Sequence, residues 1–230
     1  MTVVVHLAET KQILSLVAIT LLIAVTSVAI VANVGNLFSG STGEIAITDY
    51  QATFYLNGTL VETYTYQIKA YGTYRMLYRA WEVPISFQEL DSPSVQVLEI
   101  EPPYPGIYVY VKDHSGSVYL FPEDVYARYD VEQLAYTNEV GVLNPNHFPP
   151  GTYKVSYRFV VHPPIEYDDD FKHLNLKFAS THMAYGKVTI TIEDGNRVLA
   201  VYPHPPNLMV EKRDDKIIVR GISGEDQLLE

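Results

Sequence analysis

No cysteine occurs in the 230 residues, which removes disulfide scaffolds, thiolate zinc sites, iron–sulfur clusters and thiol nucleophiles together. Basic residues are scarce: 16 Lys and Arg stand against 27 Asp and Glu, a formal charge of -11. Neutralising phosphates needs clustered basic side chains, so nucleic acid is not expected as a partner. The chain also lacks a Gly-x-Ser-x-Gly elbow, a His-Glu-x-x-His pair and a glycine-rich phosphate or dinucleotide loop, and these gaps point away from an enzyme. Charged residues make up only 19% and hydrophobic residues 47%, a balance that buries a sizeable core and argues against disorder.

What is present divides into two unlike parts. Ile13 to Ala32 carry no charge and include twelve Ile, Leu or Val residues. As a helix this run reaches about 30 Å, the thickness of a bilayer core, with an insertion free energy of about -4 to -7 kcal/mol. The expected organisation is a short cytoplasmic N-terminus over 1–12, a transmembrane helix over 13–34 contacting membrane lipid, and a Gly/Ser/Thr tether over 35–43. A cleavable signal peptide ending near Ser27-Val28-Ala29 and a pilin-type processed helix are the rival readings of the run. Lys11 and the free amine lie before it, and no Lys or Arg follows until Lys69, so the positive-inside bias places residues 44–230 outside the cytoplasm.

From Glu44 the hydrophobic period becomes two. Asn57-Gly58 separates two alternating runs, the signature of a hairpin with a type I′ turn. Further runs are expected as strands at Tyr74–Ile85, Val95–Glu101, Ile107–Lys112, Val118–Phe121, Thr152–Val161, Lys187–Ile192, Arg197–Tyr202, Leu208–Lys212 and Lys216–Arg220, punctuated by turn residues. Glu123–Leu134, led by Pro122, is the one short helix. The pattern predicts an all-β, antiparallel sandwich, Ig-like or jelly-roll-like, as one domain over 44–230, with the loop Asn144–Gly151 the alternative point of subdivision.

Several segments then resemble, in order, an uncharacterised family of prokaryotic predicted membrane proteins, a domain of unknown function. They are Ile47-Thr48-Asp49-Tyr50, Asn57 to Glu62, Tyr78-Arg79-Ala80-Trp81, Gly151 to Tyr157, Tyr167 to Phe171, Leu174-Asn175-Leu176 and Val188 to Ile192. The resemblance implies an extracytoplasmic β-sandwich tethered to a membrane and supplies no reaction. It also implies that a natural parent continues past Glu230 with further spans.

Candidate sites are few. Seven histidines show no metal-ligand spacing, although His162 and His204 each precede Pro-Pro, and solvated loop histidines are the better reading. Glu166, Asp168, Asp169 and Asp170 are the weak calcium candidates, but the alternating ligands, Gly turn and distant bidentate Glu of a calcium loop are missing; no cofactor is otherwise expected. Glu123 with Asp124, or Glu166 with Asp168, are nominal carboxylate pairs without a defined geometry. Tyrosine is in surplus, 19 against 8 Phe and a single Trp; packing in the core and along strand edges is the better reading of the surplus, and Tyr104, Tyr108, Tyr110, Tyr126 and Tyr129 cluster enough to nominate an interaction surface for a protein or a glycan. Asn57-Gly58-Thr59 matches a glycosylation acceptor as well as a turn. The expected role is a non-enzymatic interaction or structural protein of the cell envelope, or an accessory subunit of a membrane complex, with a protein partner or self-association. A pilin-like or strand-exchanging filament subunit is the alternative, and a glycan-acting surface enzyme comes third.

Overall fold

The computed structural model describes residues 44–163, 165–167 and 171–230, with the backbone alone at 166 and 167. The expected cytoplasmic segment, membrane helix and tether lie outside them, as do Asp168, Asp169 and Asp170 and the side chain of Glu166. Among the described residues no helix is long and apolar enough to cross a membrane. The described residues fall within one compact unit.

The domain is mostly β. Its strands are β1 (Ile45–Phe54), β2 (Thr59–Ile68), β3 (Met76–Ala80), β4 (Ile85–Ser86), β5 (Ser94–Glu101), β6 (Tyr108–Lys112), β7 (Val118–Phe121), β8 (Glu139–Leu143), β9 (Gly151–His162), β10 (Ile165–Tyr167), β11 (Lys172–Leu174), β12 (Tyr185–Ile192), β13 (Met209–Arg213) and β14 (Lys216–Ser223). One helix, α1 (Val125–Leu134), lies between β7 and β8. A large sheet runs β13-β14-β12-β1-β2-β9-β5-β4, a smaller one β3-β8-β6-β7, and β10 pairs with β11.

Local chemistry accounts for these elements. Along β2 the inward residues are Leu60, Glu62, Tyr64, Tyr66 and Ile68, a strict period of two. In β1 a register shift between Ile47 and Asp49 puts both Ile47 and Tyr50 inside, because a bulge changes which parity faces the core. The hairpin forms where Asn57-Gly58 predicts it, but with a different turn. Only Gly58 has positive φ, +90°, its N–H donates to the Tyr55 carbonyl at 2.9 Å, and the connection is four residues long rather than a two-residue type I′ turn. A Cβ at Gly58 would sit 3.0 Å from the Val161 carbonyl.

Inward residues of both sheets join in one core: Tyr50, Phe54, Leu60, Tyr64, Val155 and Phe159 from the large sheet meet Leu77, Val111, Val140 and Val142 from the small one. On the other face of the small sheet α1 packs Ala127 and Val131 onto Tyr110, Leu120 and Leu143. Asp124 caps α1 by accepting the Ala127 N–H at 2.8 Å. Lys112 reaches from β6 to donate to the Glu132 and Ala135 carbonyls at 2.9 and 2.8 Å at its C-terminal end.

Three expectations are corrected, and β8 is a strand that the sequence pattern did not mark. The pairing is not wholly antiparallel: β1 runs parallel to β12 and β4 parallel to β5. Tyr74–Ile85 is not one strand; Pro84 offers no N–H, and the chain leaves the small sheet after β3 to enter the large one at β4. Arg197–Tyr202 holds the end of a single 3-10 turn, Gly195–Arg197, followed by extended chain without a ladder, since Pro203, Pro205 and Pro206 next to it remove donors. Finally β8 carries no alternation because all five of its residues are buried: the large sheet covers one face and α1 the other.

Candidate functional site

Three connections that carry the chain between the sheets, β2–β3, β5–β6 and β8–β9, meet around a hollow of about 540 Å³ lined by Tyr71, Tyr104, Ile107, Asn144, His147 and Pro149. Asn144 organises it. Its Nδ2 donates to the Tyr104 hydroxyl at 3.2 Å and the His147 carbonyl at 2.7 Å, while its Oδ1 accepts the Asn146 N–H at 3.0 Å. The loop is bound to its neighbour by Asn144 N–H to the Arg75 carbonyl and Phe148 N–H to the Tyr74 carbonyl, both 2.8 Å. His147 is held at φ +64°, a strained value for this residue type. Gly72 and Gly106 also sit at positive φ, and a Cβ on either would meet nothing within 4 Å, so the rim stays open. The lining has no acidic, Lys or Arg side chain, and Tyr71 is 82% exposed.

The five tyrosines nominated from sequence therefore separate. Tyr104 is on the hollow, its ring 6.2 Å from that of Tyr153. Tyr126 and Tyr129 are exposed on α1, and Tyr108 packs partly buried beneath that helix. Tyr110 is a correction: it is fully buried, since the even face of β6 points into the layer between the small sheet and α1. Its hydroxyl donates to Glu139 Oε1 at 2.5 Å. Glu139 also accepts the Tyr136 N–H at 3.1 Å, yet burial dominates and pushes its carboxyl up to about 7. Tyr71, which belongs to no strand and stands alone beside Gly72, carries no periodic signal that reveals its role.

A second feature is internal. Glu62, fully buried in β2, accepts the Tyr50 hydroxyl at 2.6 Å and Arg79 Nε at 3.2 Å. Arg79 donates further to the Ala80 and Phe178 carbonyls and lies 3.9 Å over the Trp81 ring centroid. Burial is the largest single influence and opposes the guanidinium charge, but the Glu62 carboxylate together with the Tyr64, Tyr50 and Tyr185 hydroxyls outweighs it and raises the Arg79 pKa. Around this pair the rings of Tyr50, Tyr64, Tyr157 and Tyr185 pack at 4.8 to 6.1 Å, and burial raises all four hydroxyls well above the ordinary tyrosine range. Much of the tyrosine surplus is thus core.

A cleft of about 360 Å³ lies just outside that cluster, walled by Trp81, Val83, Pro93, Val161, His162, Leu176 and Phe178. At its margin Lys177 Nζ meets Glu82 Oε2 at 2.5 Å, and Ser180 donates to the same carboxylate.

Of the remaining nominated groups, Glu123, Asp124, His204 and Asn57 have structural partners. Glu123 is held through both oxygens by Arg128 at 2.7 Å, and Asp124 caps α1. His162 lines the cleft, whereas His204 exchanges backbone hydrogen bonds with Glu230 at 2.8 and 3.0 Å. No group of three or more His, Asp or Glu able to hold a metal occurs among the described residues. Asn57 is exposed, with Oδ1 accepting the Thr59 N–H at 3.0 Å.

A family model described as the N-terminal domain of a predicted membrane protein (DUF2207), a domain of unknown function, matches residues 46–228. No curated protein matches the sequence. The matched span runs from β1 through β14 and takes in the hollow, the buried ion pair and the cleft, and the chain belongs to this family of predicted membrane proteins.

Proposed function

We propose that this protein is a membrane-anchored module whose β domain, a sandwich of Ig-like or jelly-roll kind outside the cytoplasm, works by binding a protein partner of the cell envelope rather than by catalysing a reaction. The observation that carries the reading is the hollow at the meeting of three intersheet connections. It combines exposed Tyr71 and Tyr104 with an uncharged lining, and loops on a rigid two-sheet scaffold are where recognition residues concentrate. The carboxylates support a binding role too, because Glu62, Glu139, Glu123 and Asp124 are each engaged in holding the fold. The uncharged run Ile13 to Ala32 and the family description support the anchor.

Cross-linking mass spectrometry on protein taken from its own membrane tests the binding role. Cross-links from the hollow's loops to a different protein, lost in a Tyr71→Ala/Tyr104→Ala variant whose thermal unfolding is unchanged, are the expected result; a strictly monomeric, partner-free protein overturns it. Topology is checked separately, since the chain has no native Cys. A single Cys replacing Tyr202, which is 88% exposed, is expected to react with a membrane-impermeant maleimide on intact cells. One observation favours the filament alternative: edge strand β13 presents exposed Met209 and Val210, and an unpaired edge recruits strands. Cross-links confined to copies of this chain through β13 would move that reading first.

A further inference from the structure

We propose that the Trp81 cleft is a binding site for a small, uncharged, largely apolar ligand that carries a hydrogen-bond-accepting carbonyl. Its volume, about 360 Å³, falls within the range of small-molecule sites, which are apolar with a few placed polar groups. The walls match that description: Val83, Pro93, Val161, Leu176 and Phe178 supply the apolar surface.

Two residues of the same wall each carry a buried side-chain nitrogen without a hydrogen bond. Trp81 is only 7% exposed, and its Nε1, a donor with no acceptor capacity, is buried without a hydrogen bond; so is Nε2 of His162. Buried polar atoms in folded proteins are nearly always paired. The other four residues with a buried side-chain atom that lacks a geometric hydrogen bond among the described residues, Asp49, Tyr64, Arg75 and Tyr157, do not line this cleft, and the Asp49 carboxylate is ion-paired with Lys187 at 3.4 Å. The indole cannot turn freely to find a partner, because Arg79 covers one face at 3.9 Å and Phe159 packs edge-on at 5.2 Å. A carbonyl oxygen brought in by a ligand satisfies the indole N–H with a small adjustment of the wall.

Charge decides the ligand class. Both cations at the cleft are already matched, Arg79 by Glu62 and Lys177 by Glu82, so a carboxylate or phosphate gains no counter-ion there. A cationic ligand would face the same neutralised pairs. An amide or ester with an attached apolar group suits both the wall and the unpaired donor. This site is separate from the Tyr71–Tyr104 hollow, with which it shares no lining residue, and the inference stands independently of the proposed partner binding.

Trp81 is the only tryptophan, so the full chain in detergent, labelled with 15N at the indole, shows one indole N–H resonance that reads the site directly. Hexanamide is titrated against hexanoate and hexylammonium, which share its apolar tail. A saturable downfield movement of the resonance with hexanamide, at least tenfold weaker with either ion, is expected. A Trp81→Phe variant is expected to bind hexanamide at least tenfold more weakly by ligand-observed NMR; should that variant fail to fold, the wild-type titration decides alone. An unmoved resonance at the solubility limit, or identical unsaturable changes with all three probes, overturns the proposal.

Discussion

Glu139 shows at the residue scale how burial sets a pH response. Its carboxyl, buried between β8 and Tyr110, has its pKa pushed up to about 7 from an ordinary 4.5. A carboxyl whose folded pKa is raised favours the folded state in its protonated form. That contribution is fully present below pH 4.5 and is lost as pH rises through 7, about 3 kcal/mol in all. Urea unfolding of the wild type is therefore expected to show falling stability between pH 5 and 8, and Glu139→Gln, which keeps a neutral side chain, is expected to flatten that slope. An unchanged slope in the variant would assign the pH response elsewhere. Next along the same strand, Gly141 lies under the ring of Tyr110: a Cβ there would stand 2.6 Å from the Tyr110 hydroxyl and 2.7 Å from the Leu77 carbonyl. Gly141→Ala is expected to cost about 1–3 kcal/mol by overpacking, read as a lower thermal midpoint, and Tyr110→Phe in the same background is expected to recover part of it.

Among elements, the Glu62–Arg79 pair is the tie between layers. Glu62 projects from β2 of the large sheet, Arg79 from β3 of the small one, and Arg79 continues to the Phe178 carbonyl. Breaking such a pair from one side leaves a buried charge uncompensated. Glu62→Ala is expected to destabilise by about 3–5 kcal/mol, whereas replacing both partners with apolar residues, Glu62→Leu with Arg79→Met, is expected to cost much less. A double-mutant cycle by urea unfolding checks this, and additive single effects would show that the pair is not coupled. The period-two pattern of β2 is plain in the sequence, yet it places a Glu among inward residues without saying what neutralises it. That answer needs β3, which belongs to the other sheet.

For the whole molecule, the order of strands in space departs from their order in the chain. The first strand, β1, sits between β2 and β12, and β9 lies between β2 and β5, so the large sheet is incomplete until most of the chain is present. The loop at 144–151 is therefore a crossing from the small sheet to the large one. A fragment ending at Leu143 lacks β9, β12 and β14 and is expected to remain unfolded by circular dichroism, while residues 44–230 are expected to unfold in a single transition by near- and far-ultraviolet signals. A folded fragment would show that the domain subdivides at this loop.

By itself the sequence determined what depends on local chemistry. Alternation marked most long strands, Asn57-Gly58 placed the first hairpin, Pro122 announced the helix, and short motifs from Ile47 to Ile192 carried the family resemblance. Tertiary structure alone decided what depends on residues far apart in the chain. It made β8 a strand buried on both faces, where no alternation survives, and paired β1 with β12 in parallel. It also sorted the tyrosines, sending Tyr110 inward and Tyr104 to the hollow beside Tyr71, and brought Trp81 and His162 into one wall. Periodicity reports which way a side chain points from its own strand, but which layer lies beyond it is set by long-range pairing and packing.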